Sequence, residues 1–393
     1  MPFAVFILGF LIFSQTTSEF MVAGIMPSLS EEFGVSIAAV GYLISAYAVG
    51  MVIGGPILTI GLLKVSLKKA LLALTIVFLI GQMIGAIAPN YEVMMVARII
   101  TGIASSASIG TSMAIAFQLV QPQSRGRAAS IVLGGLMIAT AAGLPFAMLF
   151  DLYLGWRFSF WAIVVLVFLA AILIQFFIPS IVSKEQKTVS VRKELGSFKN
   201  YRLWAAYMTN LFIIGATFAA FSYFTPILTN LTGFSLEIVP FILGIYGVAT
   251  IVGNIIVGRL ADLHMMPTLT VGLFILTAAL ILFGFFVEIP VISIITVIVI
   301  GLVGVSMNPA MSARVISVSN TGTLVATVNN SIINLGILIG SSVGGLTIDA
   351  GYGLTSPLWV GTIMAIIGLI TLLPVIRGKS PSLHANKEIK INR

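Results

Sequence analysis

Twelve apolar stretches recur along the sequence, each close to the roughly 20 residues that a helix needs to cross a bilayer. Of the 393 residues, 59% are hydrophobic and only 8% are charged. A soluble domain cannot bury that much apolar surface, so the composition indicates an all-α membrane protein with twelve transmembrane helices. The predicted spans are 4–26, 37–61, 69–88, 92–118, 128–150, 157–178, 203–228, 237–258, 267–287, 290–312, 321–346 and 356–376.

The first span and the absence of cysteine limit the possibilities further. The first span lacks the basic n-region and the small-residue cleavage site of a signal peptide, so we expect it to remain as a helix. The chain has no Cys, which excludes disulfides, thiolate metal sites and cysteine nucleophiles.

The positively charged residues indicate how the chain lies in the membrane. Of the 20 Lys and Arg residues, 18 fall in the loops that follow even-numbered spans or in the C-terminal tail. The positive-inside rule therefore predicts that these loops and both termini are cytoplasmic. The distribution of the basic residues thus sets orientation, and despite the net charge of +8 we expect no nucleic-acid partner. The opposite loops carry Glu31, Glu32, Glu92, Asp151, Glu237, Glu288 and Asp349.

The longest polar stretch divides the spans into six plus six. We predict a first half at 1–178, a cytoplasmic linker at 179–201, a second half at 202–378 and a cytoplasmic tail at 379–393. Weak internal similarity favours a duplication, because the Pro27 and Gly34 region recurs around Pro226 and Gly233. The same offset places Phe218 opposite Glu19, so only the first half keeps the acid.

Glu19 is a lone carboxylate inside the first span, and Arg98 is a lone guanidinium inside the fourth. Counted from the outer ends of their helices, they lie about 12 Å and about 10 Å deep. A charge at this depth costs about 3 kcal/mol or more, so we predict that the two groups are partners.

The chemistry of such a pair suits proton exchange. A low dielectric favours the neutral carboxylic acid, while a nearby guanidinium favours the carboxylate, so Glu19 is placed to gain and lose a proton. The structural alternatives are a hydrogen-bonded staple or a side chain that reaches the headgroups for Glu19, and a cross-helix clamp for Arg98.

Several segments together resemble the major facilitator superfamily. They are Thr17-Ser18-Glu19-Phe20-Met21 with Gly24 and Pro27, Ala46-x-x-x-Gly50-Met51, Gly54-Gly55-Pro56, Gly155-Trp156-Arg157-x-x-Phe160-Trp161 and Ala216-Thr217-Phe218-Ala219. The first-helix segment is similar to that of drug:proton antiporters, and more narrowly to the bacterial chloramphenicol-efflux and arabinose-exporter group. The resemblance covers almost the whole chain and implies the major facilitator fold, two six-helix halves that alternate access to a central cavity.

The resemblance also implies roles for single residues. Arg98 with Gly102 matches a fourth-helix motif whose arginine is implicated in proton coupling. A fifth-helix antiporter motif survives in reduced form, although its pattern is also that of a bent packing helix; it comprises Gly134, Gly143 and Pro145.

A loop motif after the eighth span keeps Gly258 and Asp262, and we expect Asp262 either to latch onto Arg314 in the next cytoplasmic loop or to remain a solvated charge. The corresponding position after the second span has Leu63 or Lys64 where an acid belongs.

By the superfamily plan, spans one, four, seven and ten line the cavity, with a small-molecule substrate near the midplane. The expected wall residues are Gln15, Thr101, Ser105, Asn210, Phe218, Phe221, Tyr223, Met307 and Asn308. Aromatic and Met walls with few polar groups suit a small amphipathic molecule. The alternative for any one second-half residue is ordinary helix packing.

The sequence therefore predicts a proton-coupled antiporter that exports a small drug-like compound such as a chloramphenicol-type antibiotic. The alternatives are an exporter of a sugar or another metabolite and, in a different class, a membrane protein that transports nothing. An enzyme is not expected, because the chain has no P-loop motif and only His264 and His384 as histidines. We expect no cofactor and no metal. We expect a monomer in the lipid bilayer, with transport driven by the proton gradient.

Overall fold

The computed structural model describes residues 1–61, 65–179, 196–319 and 323–377. Within these ranges, 10 helices are long and apolar enough to cross a membrane. One of them, Val239–Phe285, has non-helical backbone angles at His264 (φ −142°, ψ 59°) and therefore supplies two consecutive spans. A shorter apolar helix, Ser356–Leu372, completes the twelve spans that the sequence predicts.

We number the spans α1 to α12 in chain order. Their bounds are α1 Phe3–Gly24, α2 Ile37–Gly61, α3 Leu67–Ala86, α4 Tyr91–Leu119, α5 Pro122–Leu154, α6 Trp156–Phe177, α7 Tyr201–Asn230, α8 239–263, α9 265–285, α10 Pro290–Val318, α11 Val325–Tyr352 and α12 Ser356–Arg377. A short helix, Met26–Phe33, follows α1. The central part of the predicted linker, the Leu63–Lys64 position and the predicted tail lie outside the described residues.

Local sequence explains where the helices begin and end. The side chain of Asn90 accepts a hydrogen bond from the Val93 N–H at 3.0 Å, which caps the first turn of α4. The side chain of Asn200 caps α7 in the same way. Gly155 separates α5 from α6 with φ 87°, a left-handed conformation that favours glycine.

Three helices that approach the middle of the molecule are irregular there. Helix α5 contains a wider, π-type turn at Ala139–Gly143, which ends two residues before Pro145. Helix α7 is interrupted between Phe221 and Phe224, and α10 is interrupted at Gly304. Such interruptions are tolerated in a membrane where neighbouring helices or a cavity satisfy the freed backbone groups.

Among the described residues, one hydrophobic cluster joins the two halves. We call the end that carries the loops with Glu31, Asp151 and Asp349 the acidic end, and the opposite end the basic end. The largest core cluster contains residues of both halves and includes Phe20, Leu43, Tyr47, Phe218, Phe221 and Tyr246. Two further clusters belong to one half each, one around Leu8 and Val132 and the other around Leu203 and Val315. These two lie toward the basic end, so the halves pack together toward the acidic end.

Candidate functional site

Arg98 is fully enclosed in the first half, with 1% of its surface exposed. Its Nη1 donates to the carbonyl oxygen of Ser18 at 2.8 Å, its Nη2 donates to the carbonyl oxygen of Glu19 at 3.1 Å, and its Nε donates to the carbonyl oxygen of Leu43 at 3.3 Å. The guanidinium also stacks over the ring of Tyr47, 4.3 Å from its centroid. Arg98 therefore ties α4 to α1 and α2, the clamp that the sequence left open as an alternative.

The Glu19 side chain lies next to this clamp and is 8% exposed. Its partner differs from the prediction, because the ion pair found among the described residues joins Arg157 and Glu32 rather than Arg98 and Glu19. Arg98 binds the backbone of Glu19 and leaves the carboxylate outside ion-pair distance. The physical reason is that three carbonyl oxygens already surround the guanidinium. The carboxylate is thus near a buried cation without being fixed by it.

Ser18, Gln82 and Ser108, which the sequence analysis did not select as site residues, complete this cluster. Ser18 donates to Gln82 Oε1 at 2.7 Å, and Gln82 Nε2 donates to the carbonyl oxygen of Phe160 at 3.5 Å. Gln15 Nε2 donates to Ser108 at 3.2 Å, and its Oε1 is buried without a partner among the described residues. The signal that could have identified Gln82 is its amide, a single strongly polar side chain within an apolar span.

The second half presents aromatic rings to this region. Phe20, next to Glu19, lies 6.0 Å from Phe218 and 5.6 Å from Phe221, measured between ring centroids. Phe221 stacks on Tyr246 at 5.2 Å. Phe218 and Phe221 therefore lie at the interface between the halves, against Phe20, the residue that follows Glu19.

Thr101 and Met307, two of the expected wall residues, pack against neighbouring helices instead. Thr101 donates to carbonyl oxygens of its own helix, and its methyl group lies nearest Gly81 of α3. The sulfur of Met307 lies against Gly272 of α9, inside the second half. These two residues serve helix packing, because a glycine on the neighbouring helix leaves space for their side chains.

Tyr223 requires a different correction. It donates to the carbonyl oxygen of Ser341 at 2.8 Å, and its hydroxyl group fills the space beside Gly41 and Gly345. Because Gly41 belongs to α2 and Gly345 to α11, Tyr223 helps to close the acidic end instead of lining a cavity.

The remaining wall residues are buried or half-buried in the structure, and their role in lining a cavity stays a prediction. Ser105 lies beside the hydroxyl group of Tyr47. Asn210 donates to Asn329 Oδ1 at 2.8 Å, while its own Oδ1 is buried without a partner in the described part of the chain. Asn308 is half-buried at the start of the second segment of α10.

The fifth-helix motif lies where the two halves touch. A Cβ atom at Gly143 would meet Thr17, so this glycine allows α5 to approach α1 closely. The ring of Pro145 lies near Gly244 of α8, in the other half. Gly134 has open space around it, and the neighbouring Gly135 makes the close approach to α1. The packing role expected of Gly134 therefore belongs to Gly135.

The predicted latch is absent from this structure. Arg314 lies inside α10 and is buried, not in a loop, and its Nη1 donates to Thr209 at 2.6 Å. Asp262 is exposed, and no ion pair joins it to Arg314 within the described ranges. Gly258 packs loosely against Pro309. The correction follows from where α10 ends: it extends to Val318 and carries Arg314 into the protein interior.

Hydrogen bonds cross between the halves at the acidic end. Ser36 donates to Asp349 at 3.0 Å, and the hydroxyl groups of Ser45 and Ser342 lie 2.8 Å apart. Thr225 donates to the carbonyl oxygen of Ala23 at 2.9 Å. These contacts join α1 and α2 to α7 and α11, so the acidic end of the molecule is closed in this structure.

Comparison with known proteins agrees with this architecture. The sequence model of the major facilitator superfamily matches residues 8–331. The inner membrane transport protein YdhP of Escherichia coli K12 is 30% identical over 359 residues, which cover 91% of this chain and 92% of that protein. A chloramphenicol resistance protein of Streptomyces lividans is 27% identical over 377 residues, covering 95% and 96%.

A solved structure shows the same fold at low sequence identity. The inward-facing, unoccupied structure of a bacterial homologue of the human lysosomal transporter Spinster has a TM-score of 0.75 at 13% identity, covering 95% of this chain and 96% of that one. The chain is thus a multi-pass protein of the cell membrane that belongs to the major facilitator superfamily of transporters.

Proposed function

We propose that the protein is a proton-coupled antiporter that exports a small amphipathic, drug-like compound. The observation that carries the proposal is the position of Glu19, a buried carboxyl group in α1 near the enclosed cation of Arg98. The next residue, Phe20, packs against aromatic rings of the second half. An ionisable group inside a membrane span marks a substrate or proton pathway unless a structural partner accounts for it. No residue of the described chain donates a hydrogen bond to this carboxylate.

The arrangement supports a simple coupling cycle. Burial favours the neutral acid, while the positive charge of Arg98 favours the carboxylate, and in the proposed cycle Glu19 alternates between these two forms. Substrate that binds beside Glu19 favours one protonation state, and by linkage protonation then weakens or strengthens substrate binding by the same factor. A proton entering from outside thereby drives the substrate out.

The substrate class follows from the wall of the site. Phe20, Phe218 and Phe221 offer apolar ring faces, while Gln15, Ser105 and Asn210 offer a few polar groups. This combination suits a ligand with an aromatic or aliphatic body and one or two hydrogen-bonding groups. The relationship to a chloramphenicol resistance protein supports the choice of chloramphenicol as the first probe.

Alternating access requires that the two ends of the molecule open in turn. In an alternating-access cycle, one end closes while the other opens. With the orientation predicted from the basic residues, we assign the closed acidic end to the state that opens toward the cytoplasm. We assign the hydrogen bonds between Ser36 and Asp349 and between Ser45 and Ser342 to the closed external gate.

Proteoliposomes with an imposed pH gradient test the proposal. Radiolabelled chloramphenicol is expected to move against the proton flux in vesicles with the wild-type protein. The movement should disappear in Glu19→Gln and persist in Glu92→Gln, which removes an exposed carboxylate from the start of α4. Gradient-driven transport by Glu19→Gln would refute the coupling role, and movement of a sugar in place of the drug would favour the metabolite alternative.

A further inference from the structure

Gln82 is a buried amide that the coupling cycle does not use. It lies in α3, 1% exposed, among apolar residues of the first half. Its Oε1 accepts from Ser18 Oγ at 2.7 Å, and its Nε2 donates to the carbonyl oxygen of Phe160 in α6. Both polar ends of the side chain are therefore occupied, and one of them holds the residue directly before Glu19.

The hydrogen bonds of Ser18 connect Gln82 to Arg98. The single hydroxyl proton of Ser18 is donated to Gln82, so the lone pairs of Ser18 Oγ remain available to Arg98. Arg98 Nη1 lies 3.4 Å from Ser18 Oγ and 2.8 Å from the Ser18 carbonyl oxygen. Gln82 thus fixes the direction in which Ser18 donates, and that direction helps to hold the guanidinium on the backbone of α1.

We propose that Gln82 is a positioning residue that keeps the Arg98 guanidinium on the Ser18 and Glu19 carbonyl groups and away from the Glu19 carboxylate. The inference rests on the proposed function, because it concerns how readily Glu19 exchanges its proton. Without Gln82, the Ser18 hydroxyl group turns to another acceptor, and the 3.4 Å contact of its oxygen with Arg98 Nη1 is weakened. The guanidinium, which also stacks on Tyr47, is then held less firmly and spends more time near the Glu19 carboxylate. The carboxylate would then be stabilised and proton loading would need a lower pH.

The titration of Glu19 can be followed without a known substrate. Infrared difference spectroscopy on the purified full-length protein detects the C=O stretch of a protonated carboxyl group, and the band that vanishes in Glu19→Gln belongs to Glu19. In Gln82→Met, which keeps the length of the side chain but not its hydrogen bonds, the midpoint of this band is expected to shift to lower pH by about 1 unit.

Two further variants separate positioning from a general loss of packing. Thr75→Val removes a buried hydroxyl group from the same helix, where it bonds only to the Leu71 carbonyl oxygen, and should leave the midpoint unchanged. Ser18→Ala breaks the same link from the other side, so its shift and that of Gln82→Met should not add in the double variant. If Gln82→Met is poorly folded, Ser18→Ala alone carries the test.

The outcomes distinguish this inference from the proposed function. An unchanged midpoint in Gln82→Met or in Ser18→Ala, or fully additive shifts, overturns the positioning role while coupling through Glu19 stands. Equal shifts in Thr75→Val and Gln82→Met also overturn it, since any packing change would then suffice. Gradient-driven transport by Glu19→Gln would instead remove the function on which the inference rests.

Discussion

Arg98 donates a hydrogen bond to the backbone carbonyl group of Glu19, at 3.1 Å, while the carboxylate of Glu19 stays beyond ion-pair distance. The two groups share one buried region, yet the cation is satisfied by the backbone of α1 and α2. A tight buried ion pair would hold the carboxylate permanently ionised. The separation leaves the acid available for protonation, which is what coupling to a proton gradient requires.

The buried position of Arg98 predicts a large effect on stability. Arg98→Lys keeps the charge but cannot reproduce the planar set of donors to Ser18, Glu19 and Leu43. Hydrogen bonds from charged groups each contribute about 1.5–3 kcal/mol, so we expect a loss on the order of 2 kcal/mol and a clearly lower melting temperature.

Arg157→Lys is the matched control for this loss. Arg157 pairs with Glu32 at 2.6 Å, but the two side chains are 43% and 40% exposed. An exposed ion pair contributes about 0–1 kcal/mol. Arg157 also donates to one carbonyl oxygen, that of Ala88 at 3.3 Å, against three for Arg98, so this variant should lose clearly less stability than Arg98→Lys. Equal effects of the two variants in a thermal-shift assay would contradict the clamp assigned to Arg98.

Close packing of α2 against α4 predicts that Gly102 tolerates no side chain. A Cβ atom there would collide with the backbone of Tyr47, which cannot move without shifting the helix that carries it. Gly102→Ala is therefore expected to destabilise the protein by about 1–3 kcal/mol. Gly110→Ala changes the same helix where the space is open, and it should be neutral or slightly stabilising. Comparable destabilisation by both variants in unfolding experiments would argue against this helix contact.

The closed acidic end predicts a specific cross-link. The hydroxyl groups of Ser45 and Ser342 lie 2.8 Å apart on opposite halves, and the chain has no native Cys to interfere. We expect the double variant Ser45→Cys/Ser342→Cys to form a disulfide under mild oxidation, since the side chains already approach closely. The disulfide should block transport, and a reductant should restore it. Full activity of the cross-linked protein would show that these two helices need not separate, and each single variant serves as the control.

The twelve spans could be predicted because the bilayer imposes the same length and composition on each one. Glu19 and Arg98 could also be selected, since a charge inside an apolar span is conspicuous. The relative geometry of these two residues could not be predicted. The sequence pattern is the same whether the guanidinium binds carbonyl oxygens or a carboxylate.

The direction in which side chains point was the other feature that could not be predicted from the sequence. Thr101 and Met307 lie on helices that line the middle of the fold, but their side chains occupy the space left by glycines on neighbouring helices. Arg314 was assigned to a loop because basic residues usually mark the cytoplasmic side, whereas it lies buried against Thr209. Such pairings depend on which helix faces which residue, and this is set by the assembled fold.

Proton release on substrate binding tests the central claim most directly. When chloramphenicol is added to the purified protein in weakly buffered solution, a pH indicator should report release of protons from the wild-type protein and from Glu92→Gln. Glu19→Gln should release none, because the group that gives up the proton is gone. Equal release from Glu19→Gln and the wild-type protein would contradict the account.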